Sequence, residues 1–214
     1  MYLLTNLDKT KGVNKSNIYW QRGKVQREDR ERLNGHRAGL IWFTGLPGAG
    51  KSTLSKELEY KLHQKGIKTY LLDGDNIRHG LCKDLGFSKE DRKENLRRIG
   101  EVAKLFVDAG IVTIAAFASP FAEDRNLVRS LFKKEEFIEV YVKCSLEVCM
   151  QRDPKGLYKR AKQGEINNLT GFNAPYEEPE NPEIIAETDK RDIESCILKI
   201  LSYLEKSKII KPVV

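Results

Sequence analysis

The chain has 214 residues, 40% of them hydrophobic and 32% charged, so it can bury the core of one domain with short extensions and is not a disordered chain. Its 38 basic against 31 acidic side chains leave a net charge of +7, which favours anionic partners such as nucleotides, nucleic acid or phosphate and sulfate esters. The sequence argues against a membrane span, an export signal, a disulfide framework and a zinc site: no apolar run nears roughly 18 residues, Asn6, Asp8 and Lys9 interrupt the stretch opened by Leu3 and Leu4, and Cys82, Cys144, Cys149 and Cys196 form no C-x-x-C pair beside three histidines. The expectation is a reduced, cytoplasmic protein that does not enter membranes.

Residues 1–38 read as a polar, basic extension. Lys9, Lys11, Lys15, Arg22, Lys24, Arg27, Arg30 and Arg32 stand against Asp8, Glu28, Asp29 and Glu31 over residues 1–36, a net of +4. The acids are interleaved and only Tyr19 and Trp20 offer stacking surfaces, so a packing or dimer-contact arm is expected in preference to a nucleic-acid arm.

From residue 39 short apolar runs alternate with amphipathic stretches. Leu40–Thr44 reads as a buried strand and Ser52 to about Lys65 as a helix with Leu54, Leu58 and Leu62 on one face, stopped by Gly66. A strand over 69–72, a long helix over 90–109, a strand over 111–117 and a helix over 123–132 follow. Next come a strand over 137–142, a helix over 146–152, a short strand at 184–186 and a helix over 192–204. Four of the seven prolines lie in residues 153–182, which with Gly156, Gly164 and Gly171 read mostly as a mobile loop or lid. The alternation predicts an α/β fold, with a central parallel sheet flanked by helices on both faces. The expected division is an extension over 1–38, a folded domain over 39–206 and a tail over 207–214.

The strongest local signal is Gly45-Leu46-Pro47-Gly48-Ala49-Gly50-Lys51-Ser52, a G-x-x-x-x-G-K-[ST] phosphate-binding loop between a strand and a helix. Its glycines let backbone N–H groups surround a phosphate, and the following helix adds its dipole. Lys51 is placed to neutralise the β- and γ-phosphates and Ser52 to ligate Mg²⁺, so a nucleoside triphosphate with Mg²⁺ is the expected ligand over the stretch from Gly45 to Thr53. No Asn-Lys-x-Asp guanine motif is present, and the strand at 111–117 ends without a carboxylate. Carboxylates instead end the strand at 69–72, at Asp73 and Asp75, where a parallel sheet presents its ligands. Either one suits a kinase that phosphorylates a hydroxyl, accepting the proton or ordering Mg²⁺-bound water. Helix capping is their alternative duty, with Asp75 a reasonable N-cap. Downstream, Arg78, Lys83, Arg92, Lys93, Arg97 and Arg98 cluster. Arg92 and Asn95 share a helix face, a donor pair that suits an anionic acceptor, whereas Arg97 and Arg98 read as an outer charged face.

At this point the residues resemble a known family. The runs Leu72–Leu81, Asp84–Ser88 and Asp91–Ala103 resemble the adenylyl-sulfate kinase (APS kinase) family, as do Arg152–Lys159, Thr170-Gly171 and Pro175-Tyr176-Glu177, in the same order. Trp20 and Gly35-His36-Arg37 are similar to its bacterial stand-alone form. The resemblance implies a P-loop kinase fold, usually a homodimer, transferring the γ-phosphate of MgATP to the 3′-hydroxyl of adenylyl sulfate. It implies acceptor positions at Asp75, Arg78, Phe87, Arg92, Asn95, Ala118, Ser119, Lys155, Asn168 and Leu169, and catalytic positions at Lys51, Asp73, Asp75 and Ser119. The serine matching Ser119 is a phosphoserine intermediate in bacterial members, although direct in-line transfer needs no covalent step. Several positions depart from the pattern. The chain has Leu169-Thr170-Gly171-Phe172-Asn173 where Phe-Thr-Gly-Ile-Asp is usual, so Leu169 replaces a phenylalanine, and Phe172 would compensate only if the lid bends differently. Pro47 replaces a serine, and Ala118 a bulkier isoleucine. Rival readings are a kinase for another anhydride-bearing nucleotide, permitted by Leu169 and Ala118, and a non-enzymatic nucleotide-binding module, against which Lys51, Ser52, Asp73 and Asp75 speak.

Overall fold

A computed structural model describes Tyr19 and residues 21–211. Five strands form one sheet: β1 (Gly39–Thr44), β2 (Thr69–Asp73), β3 (Val112–Ala116), β4 (Phe137–Lys143) and β5 (Ile184–Glu187). They lie in the order β2-β3-β1-β4-β5, and every neighbouring pair is parallel. Helices α1 (Arg27–Asn34), α2 (Lys51–Gln64), α3 (Gly74–Arg78), α4 (Lys89–Asp108), α5 (Ala122–Arg129), α6 (Leu146–Arg152), α7 (Leu157–Lys162) and α8 (Ile193–Lys206) connect and cover it.

Strand β1 is buried along its whole length, as a strand covered on both faces must be. Ile41 and Phe43 face a core completed by Leu54, Leu58 and Leu62 of α2 and by Ile197, Ile200 and Leu204 of α8. Leu40 and Trp42 face a second core, built with Leu96, Ile99, Ala103 and Val107 of α4 and Val128 of α5. The sheet therefore separates two apolar layers. In the second, Trp42 stacks between Phe117 and Phe137, with ring centroids 5.5 and 6.2 Å away.

The strands and long helices fall where the apolar periodicity puts them, within about two residues at most ends. Three helices are corrections. Helix α1 lies inside the stretch read as a polar extension; it buries no residue, so it carries no apolar stripe to read. Side-chain contacts hold it instead: Arg27 donates to Glu31 and to the Ala38 carbonyl, and Asn34 donates to the Gly110 carbonyl. The expectations for residues 1–18, for Trp20 and for 212–214 fall outside the described residues. Helix α7 interrupts the segment read mostly as loop, burying Tyr158 and Ala161. The Asp153 carboxylate accepts from the Tyr158 and Lys159 amides, ordering a start that proline and glycine content obscured. Helix α3 is capped by Asp73, whose Oδ1 accepts the Asp75 amide at 3.0 Å, so the capping residue is Asp73 and not Asp75.

All three glycines of the phosphate-binding loop have positive φ, and at two of them a Cβ would also meet backbone. Gly45 has φ +152°, and a Cβ there would lie 2.5 Å from the Val142 carbonyl; Gly48 has φ +77° and rests against the Cys149 carbonyl.

Candidate active site

The carboxyl ends of β1, β2 and β3 and the segment around α7 enclose one cavity of about 1090 Å³. It runs from the phosphate-binding loop to Phe87 and Arg92. Of the positions expected to bind ATP or the acceptor or to act in catalysis, only Gly45, Leu46 and Ala49 do not line it. Leu46 and Phe172 line a second cavity on the far side of the loop. There the Phe172 ring meets Tyr158 edge-on, with centroids 6.0 Å apart. Phe172 therefore does not stand in for an aromatic at position 169. Leu169 itself lines the main cavity and is buried.

At the loop, Lys51 Nζ donates to the Gly45 and Leu46 carbonyls, both at 2.8 Å. Tyr158 of α7 donates to the Pro47 carbonyl at 2.9 Å, and Thr188, just beyond β5, donates to the Ala49 carbonyl at 2.7 Å. These bonds pin four of the loop's carbonyls. Burial lowers the Lys51 ammonium from the usual 10.5 to about 8; the Lys155 charge adds to this, while Cys149, Asp73 and Asp75 oppose it. Well below pH 8 the free site offers a full positive charge; around and above pH 8, binding a polyphosphate requires proton uptake. Titrating ATP with a chelator present should thus give constant affinity up to about pH 7.5 and a loss of up to about tenfold per unit above pH 8. Calorimetry in two buffers of different ionisation enthalpy should find proton uptake only in the upper range. Affinity flat to pH 9.5 would contradict the lowered ammonium.

Ser52 Oγ donates to Asp73 Oδ2 at 2.9 Å. Both Asp73 oxygens are thereby engaged, one on α3 and one on the loop helix. Asp75 projects into the open cleft and pairs with Lys155, which reaches across from the segment before α7. The two carboxylates that look equivalent in sequence thus sit differently.

At the other end, Arg78 and Arg92 flank the Phe87 ring, with guanidinium carbons 4.4 and 5.5 Å from its centroid. Arg78 donates to the Leu85 and Gly86 carbonyls, and Arg92 to the Phe87 and Asn168 carbonyls. Asn168 in turn donates to the Phe87 carbonyl. Burial first, then the neighbouring Arg78 charge, pushes Arg92 downward, the mark of a site short of an anion. Asn95 is buried, and its Oδ1 has no partner among the described residues. Arg97 and Arg98 are spent on Glu94 and Asp84, away from the cavity.

Ala118 and Ser119 form the wall beyond β3. Ser119 is 2% exposed; its Oγ accepts from Trp42 Nε1 at 3.1 Å and donates to Thr44 Oγ1 at 2.9 Å. The sequence reading missed Arg152, Thr188 and Arg191, which line the cavity beside the loop. Arg152 donates to the Thr188 carbonyl at 2.6 Å. Their signal was position: Thr188 follows β5 at its carboxyl end, where parallel sheets place ligand contacts.

Residues 37–187 match the family described as Adenylylsulphate kinase. The adenylyl-sulfate kinase of Oceanobacillus iheyensis is 57% identical over 199 residues, covering 92% of this chain and all of that one. That of Thermodesulfovibrio yellowstonii is 60% identical over 191 residues, covering 89% and 95%. The APS kinase of Mycobacterium tuberculosis, solved in complex with AMPPNP and APS, superposes with a TM-score of 0.76 at 45% identity, covering 79% of this chain and 99% of that one. A match over more than half of the chain, with relatives this similar across nearly their whole length, means that the chain belongs to the adenylylsulphate kinase family.

Proposed function

We propose that the chain transfers the γ-phosphate of ATP to the 3′-hydroxyl of adenylyl sulfate, giving 3′-phosphoadenylyl sulfate and ADP. The observation that carries this reading is the continuous cavity of about 1090 Å³. It joins a phosphate-binding loop to an aromatic ring flanked by two arginines, with carboxylates between them. Its size suits two nucleotides meeting end to end, and their approach turns two reactants into one oriented pair.

Roles follow from placement. The loop amides and Lys51 hold the ATP phosphates. Ser52 and Asp73 supply hard oxygen donors side by side, the donor set that suits Mg²⁺ held jointly by protein and phosphates. When bound there, Mg²⁺ would neutralise charge developing on the phosphates. Asp75, exposed in the cleft, is the general base. It accepts the 3′-hydroxyl proton as that oxygen bonds to the γ-phosphorus and the bond to the ADP oxygen breaks. Phe87 stacks on the acceptor adenine, worth about 1–3 kcal/mol for such a contact. Arg78, Arg92 and Lys155 take the anhydride charge, and Asn95 Oδ1 accepts from an acceptor N–H or O–H. Ser119, with its hydroxyl engaged on both sides, serves as wall, and transfer is direct. A cytoplasmic homodimer is the proposed form.

Among the described residues no helix is long and apolar enough to cross a membrane. The test is ADP release from ATP and Mg²⁺ with adenylyl sulfate, beside AMP, CDP and a blank without acceptor. Turnover confined to adenylyl sulfate is expected. Turnover only with another nucleotide, or ATP binding with no turnover on any acceptor, would overturn the assignment.

A further inference from the structure

We propose that Arg125 is a positioning residue for the acceptor wall, clasping the turn at Ser119–Ala122 to the segment around Tyr176 and Glu177. The inference rests on the reading of Ala118 and Ser119 as acceptor wall. Arg125 is 4% exposed and does not line the cavity, so it acts through what it holds.

The turn needs holding. Ser119 has φ +40°, a left-handed conformation that a residue with a Cβ adopts only when its surroundings impose it. From inside the sheet, Ser119 donates to Thr44, and Thr44 donates its one proton to the Ala118 carbonyl at 2.8 Å. That leaves the Tyr176 hydroxyl as the donor in its 3.2 Å contact with Thr44 Oγ1. From the other side, Arg125 Nη1 donates to the Ser119 carbonyl and Nη2 to the Glu177 carbonyl, both at 2.8 Å. Its Nε lies 3.0 Å from Glu139 Oε1, a buried charge contact without a directed hydrogen bond. Arg129 fixes Glu139 in turn and joins it to Glu183. Glu177 completes the clasp: its amide donates to the Pro120 carbonyl at 2.8 Å and its carboxylate accepts the Ala122 amide.

The guanidinium fork thus bridges two main-chain carbonyls on segments more than 50 residues apart, against a counter-ion set on β4. A lysine keeps the charge but lacks the planar fork. The phosphate-binding loop has separate anchors in Tyr158, Lys51 and Thr188. Loosening the clasp therefore moves the acceptor wall and leaves the ATP end in place.

Steady-state kinetics with both substrates varied, beside thermal unfolding, tests this on Arg125→Lys and Tyr176→Phe. Arg125→Lys should raise the acceptor KM about tenfold, with the ATP KM within about twofold of the parent. Tyr176→Phe, which removes one hydroxyl, should raise the acceptor KM about threefold with the same split. Should Arg125→Lys fail to fold, Tyr176→Phe decides alone. Folded variants with an unchanged acceptor KM, or with both KM values rising together, overturn the clasp. If the parent chain phosphorylates a different nucleotide, the proposed acceptor is wrong, and the clasp is judged on the KM of that nucleotide.

Discussion

Replacing Lys51 by methionine should abolish phosphoryl transfer and, in the ligand-free protein, raise the melting temperature. The first effect follows from charge at the γ-phosphate. The transition state gathers negative charge on the transferred group, and removing a preorganised donor aimed at such charge costs about 10²–10³ in rate, with more for a full cation. A kcat lower by at least about a thousandfold is expected. The second effect follows from the lowered Lys51 ammonium. Moving from 10.5 to about 8 means that the fold penalises the charged form, by about 3 kcal/mol as an order of magnitude at neutral pH. Methionine fills similar space without that charge; it also leaves the Gly45 and Leu46 carbonyls without the Lys51 donor, a smaller loss that subtracts from the gain. For a chain of this size each kcal/mol recovered is worth about 2–4 °C. The sign can be checked by pH. Because the folded value lies below the unfolded one, the parent gains stability as pH rises from about 8 to 10.5. The melting-point advantage of Lys51→Met should therefore be largest below pH 8 and shrink above it. An advantage independent of pH would trace the gain to packing and not to the buried charge.

The second large effect separates two neighbouring carboxylates. Asp75→Asn should lower kcat by about 10²–10⁴ with little change in the ATP KM, as expected when a general base is lost. Asp73→Asn should act elsewhere. Asparagine can still cap α3 through its side-chain oxygen, so the fold survives, but the negative charge beside Ser52 is gone. The Mg²⁺ concentration for half-maximal rate should rise about tenfold or more, a shift expected of a lost charged oxygen donor. Mg²⁺ titrations on both variants read this directly. If Asp73→Asn lost rate at every Mg²⁺ level while Asp75→Asn shifted the Mg²⁺ dependence, the two roles would have to be exchanged.

Where the sequence was readable, one strong physical signal dominated. The strands were legible because sheets covered on both faces demand unbroken apolar runs, as in Leu40–Phe43. The phosphate-binding loop was legible because glycines, lysine and serine are fixed in number and spacing. The missed helices lack such a signal. Helix α1 is held by arginine, glutamate and asparagine side chains reaching residues far along the chain, and α7 by a carboxylate at its start. The duties of Asp73 and Asp75 were not separable either. Nothing in their spacing says that one turns back onto Ser52 while the other reaches toward Lys155. The direction of Phe172 was left open for a similar reason. Side-chain direction in an irregular segment depends on tertiary contacts, here the ring of Tyr158.

The division of the interior by the sheet bears on how such an enzyme can change. Helix α2, which follows the phosphate-binding loop, rests on one apolar layer, whereas Arg92 and Asn95 belong to α4, which rests on the other. Substitutions that reshape one layer meet few side chains of the other, and effects at sites without shared partners add with little coupling. Acceptor choice can therefore drift through changes around α4 and the Ala118 wall while the ATP machinery stays intact. One scaffold can host a series of phosphoryl acceptors without rebuilding its donor site.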